Sequence, residues 1–222
     1  MKDNDLVHEE TYKGYTIKIF NDDNPTDPRW DDNLGIMVCF HKRYSLGDKH
    51  NIDSGEFNGW DEMEDYIRKN KNAILILPLY MYGHSGLSIK TTPFGDPWDS
   101  GKLGFIYTTE KKIKEQLGVK EVTQETIDKA EKILEAEVEL YSQYVNGECY
   151  GYQIEGGPRP EGLTSRVYED GIADSCWGFF GYYDAEYGAL SEAKGCVDYR
   201  VGRIKNKDAY SQAQHEGMAI AD

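Results

Sequence analysis

Between Thr123 and Val145, apolar residues recur at spacings of three and four: Ile127, Ala130, Leu134, Val138, Tyr141 and Val145. At 3.6 residues per turn they fall on one stripe of a helix, and Glu131, Glu135, Glu137 and Glu139 occupy the remainder. Thr123 is a suitable N-cap, and Asn146-Gly147 marks the stop. A helix of this length with one apolar stripe must bury it, and a sheet is the surface that receives it. The stripe is therefore core rather than a cofactor box, and no cofactor is expected.

Strands to build that sheet are visible on both sides. Tyr12 to Phe20 alternates, with Tyr15, Ile17 and Ile19 on one face and Thr16 and Lys18 on the other. Leu34 to Tyr44 carries Ile36, Val38 and Phe40 on one face and Met37, Cys39 and His41 opposite. The loop between them, Asn21 to Asn33, holds two prolines and five aspartates, so the two strands are expected to pair across it. It lacks the glycine register and closing glutamate of a calcium loop. Gly59 to Asn70 reads as a short helix with acids at its start and bases at its end. Ala73 to Tyr80 is a nearly continuous apolar strand meeting an edge or bulge at Pro78. Gly104 to Thr108 is a strand, and Thr109 caps a helix to Leu117 with Gly118 beyond it. Tyr150 to Glu155 and Trp177 to Tyr183 form a further pair of strands. A Gly/Pro-rich excursion opened by Gly156-Gly157-Pro158 separates them. The expected fold is α+β, one domain over 1–200 with an antiparallel-rich sheet, an insertion loop at 156–173, the long amphipathic helix packed on the sheet, and a polar tail at 201–222.

Charge narrows the partners. Across 222 residues, 40 acids face 25 bases, a net −15. Residues 1–66 hold 16 acids and 7 bases, residues 67–122 hold 5 and 9, and residues 123–222 hold 19 and 9. Only the middle of the chain accepts phosphate without net repulsion, so direct duplex binding is not expected. The longest uncharged apolar run, Ala73 to Tyr82, is far short of the ~20 residues of a membrane helix. The opening Met1-Lys2-Asp3-Asn4-Asp5 has no apolar segment behind it, so no signal peptide is expected. Cys39, Cys149, Cys176 and Cys196 form no C-x-x-C pair and read as reduced thiols of a cytoplasmic protein.

One segment concentrates chemistry. Residues 78–101 run from a buried strand into a loop with His84, Ser85, Thr91, Thr92, Asp96, Trp98, Asp99 and Ser100. His, Ser and Asp are the parts of a nucleophilic triad, but no G-x-S-x-G elbow is present. If the chain is an enzyme, a hydrolase for instance, His84 with Asp96 or Asp99 is the catalytic set. Imidazole and carboxylates also suit divalent ions, yet no H-x-H or H-E-x-x-H occurs and no metal is expected. In the plainer reading Asp99 and Ser100 cap a turn and Trp98 packs under it. Asp174-Ser175-Cys176-Trp177-Gly178 echoes Pro97-Trp98-Asp99-Ser100-Gly101, either as a neighbouring turn or as the second wall of one aromatic pocket. The expected pocket is lined by His84, Ser85, Lys90, Trp98, Asp99, Ser100, Asp174 and Trp177. Because Lys90 and Lys102 flank the first cluster, its cargo is a small anionic ligand, such as a nucleotide.

Leu77-Pro78-Leu79-Tyr80, His84-Ser85-Gly86, Thr92-Pro93-Phe94, Pro97-Trp98-Asp99-Ser100-Gly101, Gly104-Phe105-Ile106-Tyr107, Tyr150-Gly151-Tyr152 and Asp174-Ser175-Cys176-Trp177-Gly178-Phe179 together resemble a family of uncharacterised proteins carried by bacteriophages and mobile elements. The resemblance spans roughly residues 12–183. It departs from the family's pattern at Gly95-Asp96 and in the excursion at 156–173. It carries no catalytic residue with it. What it implies is an accessory role in the host cytoplasm. A non-catalytic protein would bind and inhibit or redirect a host defence protein with a basic surface, imitating nucleic-acid charge. Asp22, Asp23, Glu131, Glu135 and Glu139 are the expected contact acids.

Overall fold

A computed structural model of the chain describes residues 5–84, 86–96, 98–157 and 172–218, with side chains of the final helix through residue 203. In order the elements are β1 (Leu6–Tyr12), β2 (Tyr15–Asn21), β3 (Ile36–Cys39), α1 (Trp60–Asn70), β4 (Ala73–Gly83), β5 (Leu87–Lys90), β6 (Ser100–Thr109), α2 (Glu110–Leu117), α3 (Gln124–Val145), β7 (Cys149–Gly156), β8 (Ile172–Phe180) and α4 (Ala189–Met218). The fold is α+β with antiparallel pairing throughout the described strands, as expected. The strands divide between two sheets, however, ordered β1-β2-β7-β8 and β3-β6-β4-β5. Each sheet is the centre of one compact unit. The first unit contains the chain through residue 25 and from residue 147 onward, and the second contains residues 26–146.

In the second unit, β6 pairs with β3 on one side and β4 on the other. Both faces of this sheet are covered. Met63 and Ile67 of α1 pack against Val38, Ile76, Phe105 and Tyr107. On the opposite face Ala130, Leu134, Val138 and Tyr141 of α3 pack against Leu79, Leu103 and Ile106. The expected stripe is thus the buried one, with Ile127 and Val145 half-buried at its ends. The α3 N-terminus closes as a capping box. The Thr123 hydroxyl accepts from the Thr126 amide, and the Thr126 hydroxyl accepts from the Thr123 amide. Thr109 caps α2 by accepting from the Lys112 amide. Pro78 lies where β4 has β6 as its only described strand neighbour, because β5 joins at Tyr80, so its missing N–H costs no ladder bond.

Two expectations fail here for local reasons. Tyr12 to Phe20 is not one strand: Lys13 and Gly14 take φ of 50° and 84°, a two-residue turn that folds β1 back onto β2 with Tyr12 opposite Tyr15. Nor does β2 pair with β3. β2 lies between β1 and β7, and β3 is hydrogen-bonded to β6. The loop aspartates serve turns: Asp27 accepts from the Arg29 amide and caps a 3-10 turn over Pro28–Trp30.

In the first unit, Tyr15, Ile17, Ile19, Tyr152 and Ile154 form the sheet face on which α4 rests with Ala189, Ala193 and Val197. Small residues on the helix let its axis approach the sheet closely. Of the stretch expected to be a polar tail, residues 201–218 are helical backbone continuous with this buried start. Gly151 is required by contact, since a Cβ there would stand 2.1 Å from the Trp177 ring, which lies against it. β7 and β8 pair as expected, and residues 158–171 of the excursion between them fall outside the described residues.

Polar groups pin α4 at one edge. Arg200 donates to the Ala173 carbonyl and to Asp174, and the Cys196 thiol donates to the same Asp174 oxygen. Burial opposes the charge on Asp174, but the bonds from Cys196 and Arg200 outweigh it and hold the carboxyl below its ordinary 3.8. A depressed folded pKa contributes stability that is present above the unfolded value and lost as pH falls through the folded one. Acid titration of unfolding should therefore show Asp174→Asn less stable than wild type near neutrality, with the gap closing below about pH 4. A gap independent of pH would assign the effect to packing. For α3, Leu134→Glu should lower stability by about 4 kcal/mol, because it buries an unpaired charge, while Glu135→Ala stays within about 0.5. Equal denaturant midpoints for the two variants would show the helix phase to be wrong.

Candidate functional site

β3 ends at Cys39, five residues short of the expected strand, and this early exit creates a cleft. The Phe40 amide makes a last bond to the Leu103 carbonyl, after which the chain turns away and Ser100 to Lys102 of β6 keep only β4 as a described strand neighbour. The turn is organised by His41. Its Nδ1 accepts from the amides of Arg43 and Tyr44, both at 3.2 Å, and its ring stacks on Tyr44 with centroids 4.9 Å apart. A depression of about 820 Å³ opens between this turn and the ends of β4 and β6. Its floor includes Met81, Gly83, Gly101 and Leu103, and its walls include Lys42, Arg43, Tyr44, Trp98 and Asp99. Gly101 faces Met81 across the ladder, and a Cβ there would meet nothing within 4 Å. The space above it is open, not packed.

The loop that carries the cations is held from inside. Arg29, 9% exposed, donates from Nε and Nη2 to Asp48 at 3.0 and 2.7 Å, from Nη1 to Glu137 at 3.1 Å, and from Nη2 to the Gly35 carbonyl. Burial works against the guanidinium charge, yet the bonds to Asp48 and Glu137 outweigh it and raise its pKa. Asp48 also accepts from the Met37 amide, and Glu137 accepts from the amides of Leu34 and Gly35. Glu137 was expected on the solvated side of α3. Its side chain is instead 12% exposed, because Arg29 and two amides satisfy it there. Tyr141 completes the clamp by accepting from the Gly47 amide, and burial pushes its hydroxyl up to about 12.

With Asp48 committed to Arg29, the remaining formal charges between residues 40 and 50 are positive, and Asp53 follows beyond them. Among the described residues Lys42, Arg43 and Lys49 are in no ion pair. Trp98 stands 92% exposed and Tyr44 45% exposed beside them. Within a chain of net −15 this is a local cationic and aromatic patch. A strand assigned up to Tyr44 and a charge balance averaged over residues 1–66 both hide it. The run Phe40-His41-Lys42-Arg43-Tyr44, bases between two aromatics, was the available signal.

The expected site residues fall into separate places. Trp98, Asp99 and Ser100 border the cleft. Ser85 lies outside the described residues. His84 stacks on Tyr82 at 6.4 Å, Tyr82 stacks on Phe94 at 5.5 Å, and Lys90 Nζ sits 4.1 Å over the Phe94 ring. Tyr82 alternates with Met81 along β4, so this aromatic group lies on the sheet face away from the cleft floor. Lys102 likewise sets its ammonium over Phe105 and Trp60. Asp96 is a turn former: its carboxylate accepts from the amides of Trp98 and Asp99. Asp174 and Trp177 stand on β8 of the other sheet, so the single sheet expected to carry them together with His84 and Asp99 is not formed. Asp22 and Asp23 follow β2 in the first unit, and Asp22 accepts from the Asn24 amide. Glu131, Glu135 and Glu139 line one side of α3, the last two exposed, and are in no ion pair among the described residues.

Burial, and then Asp48, push the Cys39 thiol behind the loop up to about 12, leaving no thiolate there at neutral pH. His84 and Asp96, two of the three proposed catalytic groups, are committed to a ring stack and a turn. Among the described residues no three His, Cys, Asp or Glu side chains are grouped to hold a metal ion, and no helix is long and apolar enough to cross a membrane. Comparison with family models, with curated proteins and with solved structures finds no match.

Arg29→Met should cost about 3 kcal/mol, because it leaves the half-buried Asp48 and Glu137 without their cation. Hydrogen exchange should show Met37, Gly47 and Asp48 amides losing protection before those of β6. Uniform loss across the unit would mean that Arg29 serves the whole core and not this loop.

Proposed function

We propose that this chain is a non-catalytic binding protein whose working site is the cleft at the end of β6, taking an anionic ligand that carries a planar ring. The observation that carries the reading is the pair Lys42 and Arg43, in no described ion pair, beside an indole that is 92% exposed. Forty acids are available to this chain, yet none of the described carboxylates pairs with these two cations. Solvating an aromatic platform next to unpaired cations brings no packing gain, whereas a ring and a phosphate would engage both. The phage and mobile-element resemblance supplies the setting, an accessory protein acting in the cytoplasm of a host.

A second reading rests on α3. Glu131, Glu135 and Glu139 repeat every fourth residue along one side of the helix, an acidic row that fits a host protein with a basic surface. Such binding would weaken with salt and would survive any change in the cleft.

ATP serves as a first probe because it combines a ring with phosphates. Titration of ATP should change tryptophan fluorescence, and the Lys42→Ala/Arg43→Ala double variant should bind about tenfold more weakly with an unchanged melting temperature. ATP should be recovered intact. Failure of ATP and pyrophosphate to perturb the protein at all would remove the cleft reading, and hydrolysis of ATP abolished by His84→Ala would replace it with an enzyme.

A further inference from the structure

Resting on the cleft as an anion site, we infer that its ligand is a short single strand of nucleic acid laid along the loop from Phe40 to His50, with a base stacked on Trp98. Three depressions meet along this loop. Besides the cleft, one of about 530 Å³ lies between Phe40, His50 and Ser54, and one of about 660 Å³ lies beside Tyr44, Leu46 and Lys49. His41 and Lys42 border all three, so they form one track and not isolated pits. A free nucleotide would fill one of them, since single sites of about 300–1,000 Å³ enclose whole small ligands. Lys42, Arg43 and Lys49 outnumber the two unpaired carboxylates on the track, Asp53 and Asp99, and a row of cations fits a ligand whose charge repeats.

The groups on the track match what single strands require. Lys42, Arg43 and Lys49 supply charges for successive phosphates, and Trp98 and Tyr44 supply exposed faces for bases. Stacking on aromatic faces is available to every base, so no sequence code is needed. Duplex is disfavoured on two grounds. Its bases are already stacked and cannot reach an indole, and its stiff, dense charge would meet the acidic remainder of a −15 chain. A flexible strand can follow the loop and leave that remainder in solvent.

The test uses the full chain and a labelled oligothymidylate of about ten nucleotides, read by anisotropy between about 50 and 200 mM salt. With three phosphates neutralised, log affinity should fall with log salt at a slope of about −2. Lys42→Ala should reduce that slope by about 0.7, and Lys111→Ala, which removes an equal charge on α2, should not. Trp98→Ala should weaken binding about tenfold and leave the slope alone, because stacking is not screened. Gly101→Phe, placed in open space, should block binding without lowering the melting temperature. Thymidine monophosphate binding as tightly as the oligomer would overturn the strand while leaving the anion site standing. Equal affinity for duplex would overturn it as well. If ATP binds but the oligomer does not, the site is a nucleotide pocket. If no anion binds, the cleft reading itself falls.

Discussion

The guanidinium of Arg29, enclosed by Asp48 and Glu137, is the interaction on which the second unit's architecture turns. A cation at 9% exposure is tolerable only with its charge matched and its donors filled, and here two carboxylates and the Gly35 carbonyl do both. Each carboxylate spends its other lone pairs on backbone amides that have no ladder partner: Leu34 and Gly35 before β3, and Met37 within it. One network thus joins the 3-10 turn, the start of β3, the loop after β3 and the middle of α3. Removing any member leaves charge or amides unsatisfied in the interior, a larger penalty than the loss of a surface pair.

That network also accounts for the sign of the surface above it. Asp48 is the only acid between residues 41 and 50, and it faces inward. The outward charge of the loop is therefore what Lys42, Arg43 and Lys49 make it. Glu137 plays the same part on α3, where it is the one glutamate of four expected on the solvated side that is drawn into the core. A highly acidic chain keeps a cationic patch by burying the acids that would otherwise neutralise it. Long-range repulsion from the remainder still limits how much anion can approach, which favours a short or flexible ligand over an extended charged rod.

Legibility in the sequence followed the range of the interaction. Helix α3 was readable because its stripe, its Thr123 cap and its stop are all local, and its buried set matches the periodicity at Ala130, Leu134, Val138 and Tyr141. The β1–β2 hairpin was local too but was missed, because Lys13 takes a positive φ that its residue type does not advertise. The start of helix α4 was missed because its buried face is Ala189, Ala193 and Val197, too faint an apolar signal between Gly188 and the polar stretch beyond Gly202. The partition into two sheets depends on pairings between strands far apart in the chain, such as β2 with β7. Nothing in a single segment encodes those. Of the candidate site, the Trp98 to Ser100 wall was found and the Lys42–Tyr44 wall was not. Neither Arg29, 108 positions from Glu137, nor the exit of β3 has a local signature.

The two walls also explain why the loop rich in His, Ser and Asp lends itself to shape before chemistry. Asp96 bends the chain by accepting from the amides of Trp98 and Asp99, which projects the indole outward. The Asp99 carbonyl accepts from the Gly83 amide, which ties that bend to the end of β4. On the opposite wall His41 performs the corresponding task for Arg43 and Tyr44. In both walls a polar side chain is consumed in holding a turn, and the turn sets an aromatic ring at the rim. Gly101 leaves the floor between them bare. A site built this way orients a ligand by rigid backbone bends and offers charge and ring faces at fixed positions.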